Sequence, residues 1–240
     1  MMKRFLLLIL IAILLIPQQS KAQDEGVAAL AGGLLAIGAG IAAVEQMKEQ
    51  AELTATQWVL SNHPHMKSFS LKSLSFDGKK LKDISATSVI TYKIQQFTPK
   101  DDPELDGKKD VLFGFTSPGW ISEYGINFDR VKWFLKDDKE WMNMMVAYSK
   151  VASEEKNEST LREILQDGKV VNRGVKGKGK MDISFFKMSS DMYVVTDYSD
   201  EMKLLYNERS LGIFLKEISD LVQIGRGDII DIHEFFFDED

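Results

Sequence analysis

The sequence contains no cysteine, and that absence removes several chemistries at once. No thiol nucleophile, disulfide framework, thiolate-bound metal or cysteine-linked lipid is available to the chain. Histidine is nearly as scarce, with three residues in 240. His63 and His65 flank Pro64, and His233 stands beside Glu234 and close to Asp231. Two histidines two apart on an extended segment point to the same side, so His63, His65 and His233 are the candidates for a metal site completed by a carboxylate. None of them falls in an HExxH or comparable ligand spacing, and no cofactor is expected on that ground. A nucleophile elbow of the GxSxG type is missing too, and no two carboxylates are set apart as an acid and a base. No catalytic residue is therefore assigned.

Positive charge is in deficit. Lysine and arginine number 30 against 36 aspartates and glutamates, a net charge of −6. Removal of residues 1–22 would take away Lys3, Arg4 and Lys21 and no acid, leaving −9. Such a chain is poorly suited to nucleic acid or to anionic lipid. The one local cationic feature is Gly174–Lys180, GVKGKGK, with Arg173, Lys176, Lys178 and Lys180. GxxxxGK opens a phosphate-binding loop, but Met181 stands where a magnesium-holding hydroxyl is required, and the segment leads into a strand rather than a helix. A basic hairpin loop that binds no nucleotide is the expectation. Arg226-Gly227-Asp228 spells an adhesion tripeptide, but Gly225 and Gly227 are read more simply as the end of the preceding helix.

Two long apolar runs stand against these absences. Residues 1–22 carry a basic start at Lys3 and Arg4, an apolar run from Phe5 to Ile16, and the small residues Ser20 and Ala22. That order reads as a secretory signal cleaved after Ala22. Val27 to Val44, VAALAGGLLAIGAGIAAV, then has no polar side chain. Ala28, Gly32, Ala36 and Gly40 recur every fourth position and share one helix face, the small-xxx-small spacing with which helices approach closely. Four glycines between Gly32 and Gly40 each cost ~1 kcal/mol of helix propensity relative to alanine, so this helix calls for lipid or a close protein partner. Its length is at the lower bound for a membrane span, and no basic cluster marks one side. Packing in an oligomer or partner, spanning a membrane, and burial in the chain's own domain are all open.

The remaining pattern predicts an α+β fold: a long Gly/Ala-rich N-terminal helix, then a mixed, mostly antiparallel β domain with two or three packed helices. The division is 1–22 signal, 23–62 apolar helix continuing as an amphipathic one, and 63–240 globular domain. Met47, Ala51, Thr54, Ala55, Trp58 and Val59 form the amphipathic face, and Pro64 stops it. Strands are predicted at 69–76 with a bulge near Lys72-Ser73, at 88–97 and at 111–115, and turns at Asp77-Gly78 and Ser117-Pro118-Gly119. Residues 126–135 fit strand or helix. Trp141, Met144, Met145, Tyr148, Val151 and Ala152 predict a helix with a core stripe. Thr160 with Glu163 resembles a capping box for a short helix ending at Asp167-Gly168. Residues 183–189 and 193–198 read as a hairpin, Leu211 to Val222 as a helix opened by Ser210, and Ile229 to Phe237 as a last strand.

Together these features describe an exported protein of the periplasm or cell envelope that acts through association. Its partner would be a membrane or envelope protein or its own copies, met through Ala28, Gly32, Ala36 and Gly40. A soluble periplasmic module holding a small or lipidic ligand, and a hydrolase of unidentified type, are the alternatives.

Overall fold

A computed structural model describes residues 41–76, 86–101, 103–122, 125–177, 179–189 and 192–238. The signal at 1–22, the small-residue positions Ala28, Gly32, Ala36 and Gly40, the Asp77-Gly78 turn and Lys178 lie outside the described residues. What is described is mixed α+β, with all sheet pairing antiparallel.

The first helix, α1 (Ile41–Asn62), follows its sequence pattern. Met47, Ala51, Ala55 and Val59 are buried at four-residue spacing, while Thr54 and Trp58 flank that stripe half-buried. Met47 and Val59 each contribute about 1.5–3 kcal/mol through burial. Ala51 and Ala55 add little area but let the helix lie close to the sheet beneath. The chain leaves the helix before Pro64, with the His63 N–H still reaching Val59 O at 2.7 Å.

That sheet has the order β1-β2-β3-β6, from β1 (Phe69–Ser73), β2 (Val89–Gln96), β3 (Lys109–Thr116) and β6 (Val131–Asp137). Both faces are covered, and the two-residue period of the strands divides their side chains between two cores. Ile90, Tyr92, Ile94 and Leu112 join α1 in the smaller core. Val89, Val111, Phe113 and Phe115 face the larger one. The bulge expected at Lys72-Ser73 is absent, since β1 pairs with β2 in unbroken register to Ser73 opposite Tyr92. The change of phase arises because the strand stops there. Ser75 Oγ then accepts the Thr91 N–H at 2.8 Å, so a side chain continues what the ladder leaves.

The ambiguous stretch 126–135 is extended apart from a 3₁₀ turn at Phe128–Arg130. The short strands β4 (Ile121–Ser122) and β5 (Gly125–Ile126) pair just before that turn. β6 runs straight into α2 (Asp138–Ala152), whose capping box is Asp137 with Glu140: Glu140 N–H donates to Asp137 Oδ1 at 2.9 Å. The predicted stripe on α2 is core, as Trp141, Met144, Met145, Tyr148, Val151 and Ala152 are all buried. The next helix, α3 (Glu158–Asp167), is capped by Asn157, whose Oδ1 accepts from Ser159 and Thr160 N–H, and not by a Thr160–Glu163 box. The helix begins one turn earlier than that motif required.

Three later expectations are corrected. β7 (Gly168–Val171), β8 (Gly174–Gly177) and β9 (Lys180–Ser184) form a sheet of their own. β10 (Val194–Asp197) pairs instead with β11 (Met202–Tyr206), so no 183–198 hairpin exists. The segment Leu211–Val222 is not a helix but the arms and turn of a hairpin, β12 (Ser210–Leu215) and β13 (Asp220–Gly225). Leu211, Ile213 and Leu215 alternate inward on one arm, and Val222 and Ile224 on the other. The β-branched Ile213 and Val222 favour strand over helix. Ile229–Phe237 is conversely helical, within α4 (Arg226–Phe237), and Gly225 begins that helix instead of ending one. Its buried residues Arg226, Ile229, Ile232 and His233 recur at three and four, a period that outweighs its aromatic, β-branched composition.

The second four-stranded sheet, β10-β11-β12-β13, packs its inner face with α2 and α4 into the larger core. It meets the first sheet without a ladder. Ser88 Oγ accepts the Gln223 N–H at 2.8 Å, and Ser117 Oγ donates to Asp220 Oδ2 at 2.6 Å. Among the described residues, no helix is long and apolar enough to cross a membrane.

Candidate functional site

A groove of about 610 Å³ lies between α2, the start of α3 and the edge strand β10. Helix packing builds its floor. α2 turns Trp141, Met145 and Tyr148 into the core, which leaves Val146, Ala147 and Val151 along the groove beside Asn143 and Lys150. Phe186 closes one end, fixed by its N–H donating to Ala152 O at 2.6 Å.

The cations at that end are held in defined ways. Lys150 pairs with Glu158 at 2.7 Å, and that hydrogen bond keeps the Glu158 carboxyl below the usual carboxylate range. Lys156 Nζ donates to the carbonyls of Lys150 and Ser153 at the end of α2, satisfying acceptors a helix terminus leaves open, and lies 5.8 Å from the Phe186 ring centre. Arg162 Nη2 donates to Asn143 Oδ1 at 2.8 Å. Among the described residues, neither Lys156 nor Arg162 has a carboxylate within ion-pair distance.

The opposite wall is Val194 to Tyr198. The Tyr198 N–H donates to Met202 O at 3.1 Å, which sets the alternation along β10. Val194 and Thr196 turn their backbone groups to β11, while Val195 and Asp197 turn theirs outward. Edge strands are ordinarily blunted by charge, lysine or proline. Here Met192 is 55% exposed, Tyr193 43% and Val195 53%. Asp197 is tied back by Lys216 at 2.9 Å, which holds its carboxyl below the usual range. Among the described residues no strand pairs with the outer side of β10, so the groove joins an edge, an apolar floor and two cations outside ion pairs. No base among the described residues is hydrogen-bonded to its hydroxyls, Thr196 and Tyr198.

No family model, curated protein or solved structure matches this chain.

The residues singled out in the sequence lie elsewhere. His63 and His65 meet edge to face with ring centres 5.9 Å apart, just after α1. His233 is buried in the larger core, where its Nε2 lies 2.7 Å from Leu165 O and its ring leans on Phe237. Among the described residues, no three His, Asp or Glu side chains gather as a metal would require. Within GVKGKGK, Gly174–Gly177 is β8 and Lys180 opens β9, and the two pair antiparallel as the hairpin reading required. A Cβ at Gly177 would stand 1.8 Å from Asp182 Oδ2, so a carboxylate occupies the space beside that glycine and would repel a phosphate. Arg226 of the adhesion-like tripeptide is only 5% exposed and cannot be displayed to a receptor.

Two features escaped the sequence. The groove depends on β10 being an edge, which no local pattern signals. The second is Arg226, whose guanidinium donates to Asn172 O, to the Tyr148 hydroxyl at 3.1 Å and towards Asn207 O at 3.5 Å, and lies over the rings of Phe185 and Tyr206. It ties α2, the β7–β8 turn and the β11–β12 turn to the first turn of α4.

Burial, opposed by the hydrogen bond at Leu165 O and by Asp238, pushes the His233 imidazole below its ordinary value of 6.5. The folded chain therefore resists a proton that the unfolded chain accepts. The resulting stability is complete above pH 6.5 and is lost as the pH falls through the lower folded value. Thermal melts of wild type and His233→Gln between pH 7.5 and pH 5 test this. Wild type is expected to lose melting temperature across that interval, and the variant to lose clearly less. Parallel losses in both would place the acid sensitivity elsewhere.

Proposed function

We propose that this chain is an exported, envelope-associated interaction protein without catalytic activity. Residues 1–22 direct export, the apolar stretch 27–44 attaches the chain to a membrane-protein assembly or to further copies of itself, and the α+β body presents the β10 groove. The observation that carries this reading is the continuity of attachment and body. The apolar stretch runs into α1, and α1 is locked onto the first sheet by Met47, Ala51, Ala55 and Val59. Whatever holds the stretch therefore holds the domain. The groove is open along one side, which suits a macromolecular partner better than an enclosed small ligand.

One observation favours a second reading, in which the stretch covers the chain's own surface. By sequence spacing alone, Gly40 stands eleven residues before the buried Ala51, which at 3.6 residues per turn is within about 20° of it. Replacing Gly40 by Leu separates the two. In the leading reading, Gly40→Leu abolishes crosslinking and membrane retention after a high-salt wash, while circular dichroism of the body is unchanged. Ile37→Leu, which keeps volume, should behave as wild type. Equal retention of all three proteins would remove the stripe from the mechanism, and loss of the whole fold in Gly40→Leu would establish the second reading.

A further inference from the structure

We infer that the β10 groove takes an extended peptide as a fifth strand of the second sheet, and that the peptide carries a carboxylate two residues from an aliphatic side chain. This rests on the reading of the chain as an interaction protein and names the chemistry of its partner.

Three observations converge on that occupant. First, β10 has no strand on its outer side among the described residues, where the N–H and C=O of Val195 and the N–H of Asp197 point, and the segment from Met192 to Val195 lacks the charges that discourage pairing. Main-chain bonds of this kind supply affinity in strand addition, and alternate side chains supply specificity. Second, a strand laid beside β10 would turn every second side chain towards α2, where Val146, Ala147 and Val151 form an apolar floor. An aliphatic residue fits there. Third, the floor ends in cations. Arg162 keeps N–H groups beyond its one bond to Asn143, and Lys156 is bonded to neutral carbonyls. A carboxylate on the next inward position, two residues along, meets them, and the planar guanidinium favours such a group. On a chain of net charge −6, the Lys156–Arg162 end is a local cationic patch that attracts acidic ligands.

The test uses the detergent-solubilised full chain, so its outcome does not depend on what residues 27–44 bind. The probe is a fluorescein-labelled, capped nonapeptide with threonine at every second position and valine and glutamate alternating between. Its anisotropy is followed on titration with protein. Saturable binding is expected, weakened by about tenfold or more when lysine replaces glutamate. Val195→Pro removes an outward N–H without breaking a bond to β11 and should abolish binding. Arg162→Gln loses the charge and should weaken binding of the glutamate peptide without weakening that of the lysine peptide. Should Val195→Pro fail to fold, Arg162→Gln still decides. Absence of saturable binding, or binding indifferent to both variants, would overturn the inference. So would a dimer in sedimentation that Val195→Pro dissociates, which would make a second copy the occupant. Uptake by zwitterionic vesicles in place of the peptide would overturn it equally.

Discussion

Gly174→Ala is expected to be the most damaging single-methyl change in the β7–β9 sheet, lowering stability by about 4 kcal/mol or more. Gly174 has φ of +150°, and a Cβ built there would stand 1.8 Å from the carbonyl oxygen of Ile183. The obstacle is backbone of the adjacent strand, so no rotamer change relieves it, and β8 must part from β9. Gly179 supplies the control. Its φ is also positive, at +82°, but a Cβ there meets nothing within 4 Å. Gly179→Ala should cost only the left-handed penalty of about 1–2 kcal/mol. Urea unfolding of both variants, read from the midpoints at equal slope, separates clash from conformational preference. Equal midpoints would show that the Ile183 carbonyl gives way and that only the backbone preference is felt at Gly174.

Arg226→Ala should follow closely, at about 2–4 kcal/mol or roughly 5–15 °C in melting temperature for a chain of this size. The cost does not come from a lost ion pair, since no carboxylate faces the guanidinium among the described residues. It comes from acceptors left in a dry interior: Asn172 O, the Tyr148 hydroxyl and the Asn207 carbonyl. The Tyr148 phenol is already pushed above its ordinary range by burial and will not ionise to compensate. Arg226→Lys is the informative companion. An ammonium keeps the charge but has no planar fork to reach three elements at once, so most of the loss should remain. Calorimetric melts within about 2 °C of wild type for Arg226→Ala would mean that the aromatic rings close over the gap unaided.

Where the sequence could be read, one period dominated its segment. α1 and α2 showed their buried stripes because polar residues filled the opposite faces. β2 and β3 showed theirs through β-branched and aromatic alternation. The reading failed where two periods were superposed. Leu211, Phe214, Leu215 and Ile218 satisfy a helical count, and only Gly212 and the inward set Leu211, Ile213, Leu215 point to a strand. In α4 the aromatic ending suggested a strand, though Ile229, Ile232 and His233 kept helical spacing. The groove was illegible for a different reason. Val194–Asp197 reads as any short strand, and its open edge is a property of sheet order. Arg162 and Lys156 likewise become neighbours of β10 only through the packing of α3 on α2.

The division of the interior into two cores has a mechanical consequence. α1 spends its buried side chains wholly in the smaller core, and no backbone ladder links it to the sheet it covers. A pull arriving through the residues before Ile41 is therefore borne by side-chain packing over Met47, Ala51, Ala55 and Val59. The four hydrogen-bonded strands behind act as a bulkhead. Tension at the tether is expected to lift the helix while the larger core, the Arg226 junction and the groove on the far sheet stay loaded only weakly.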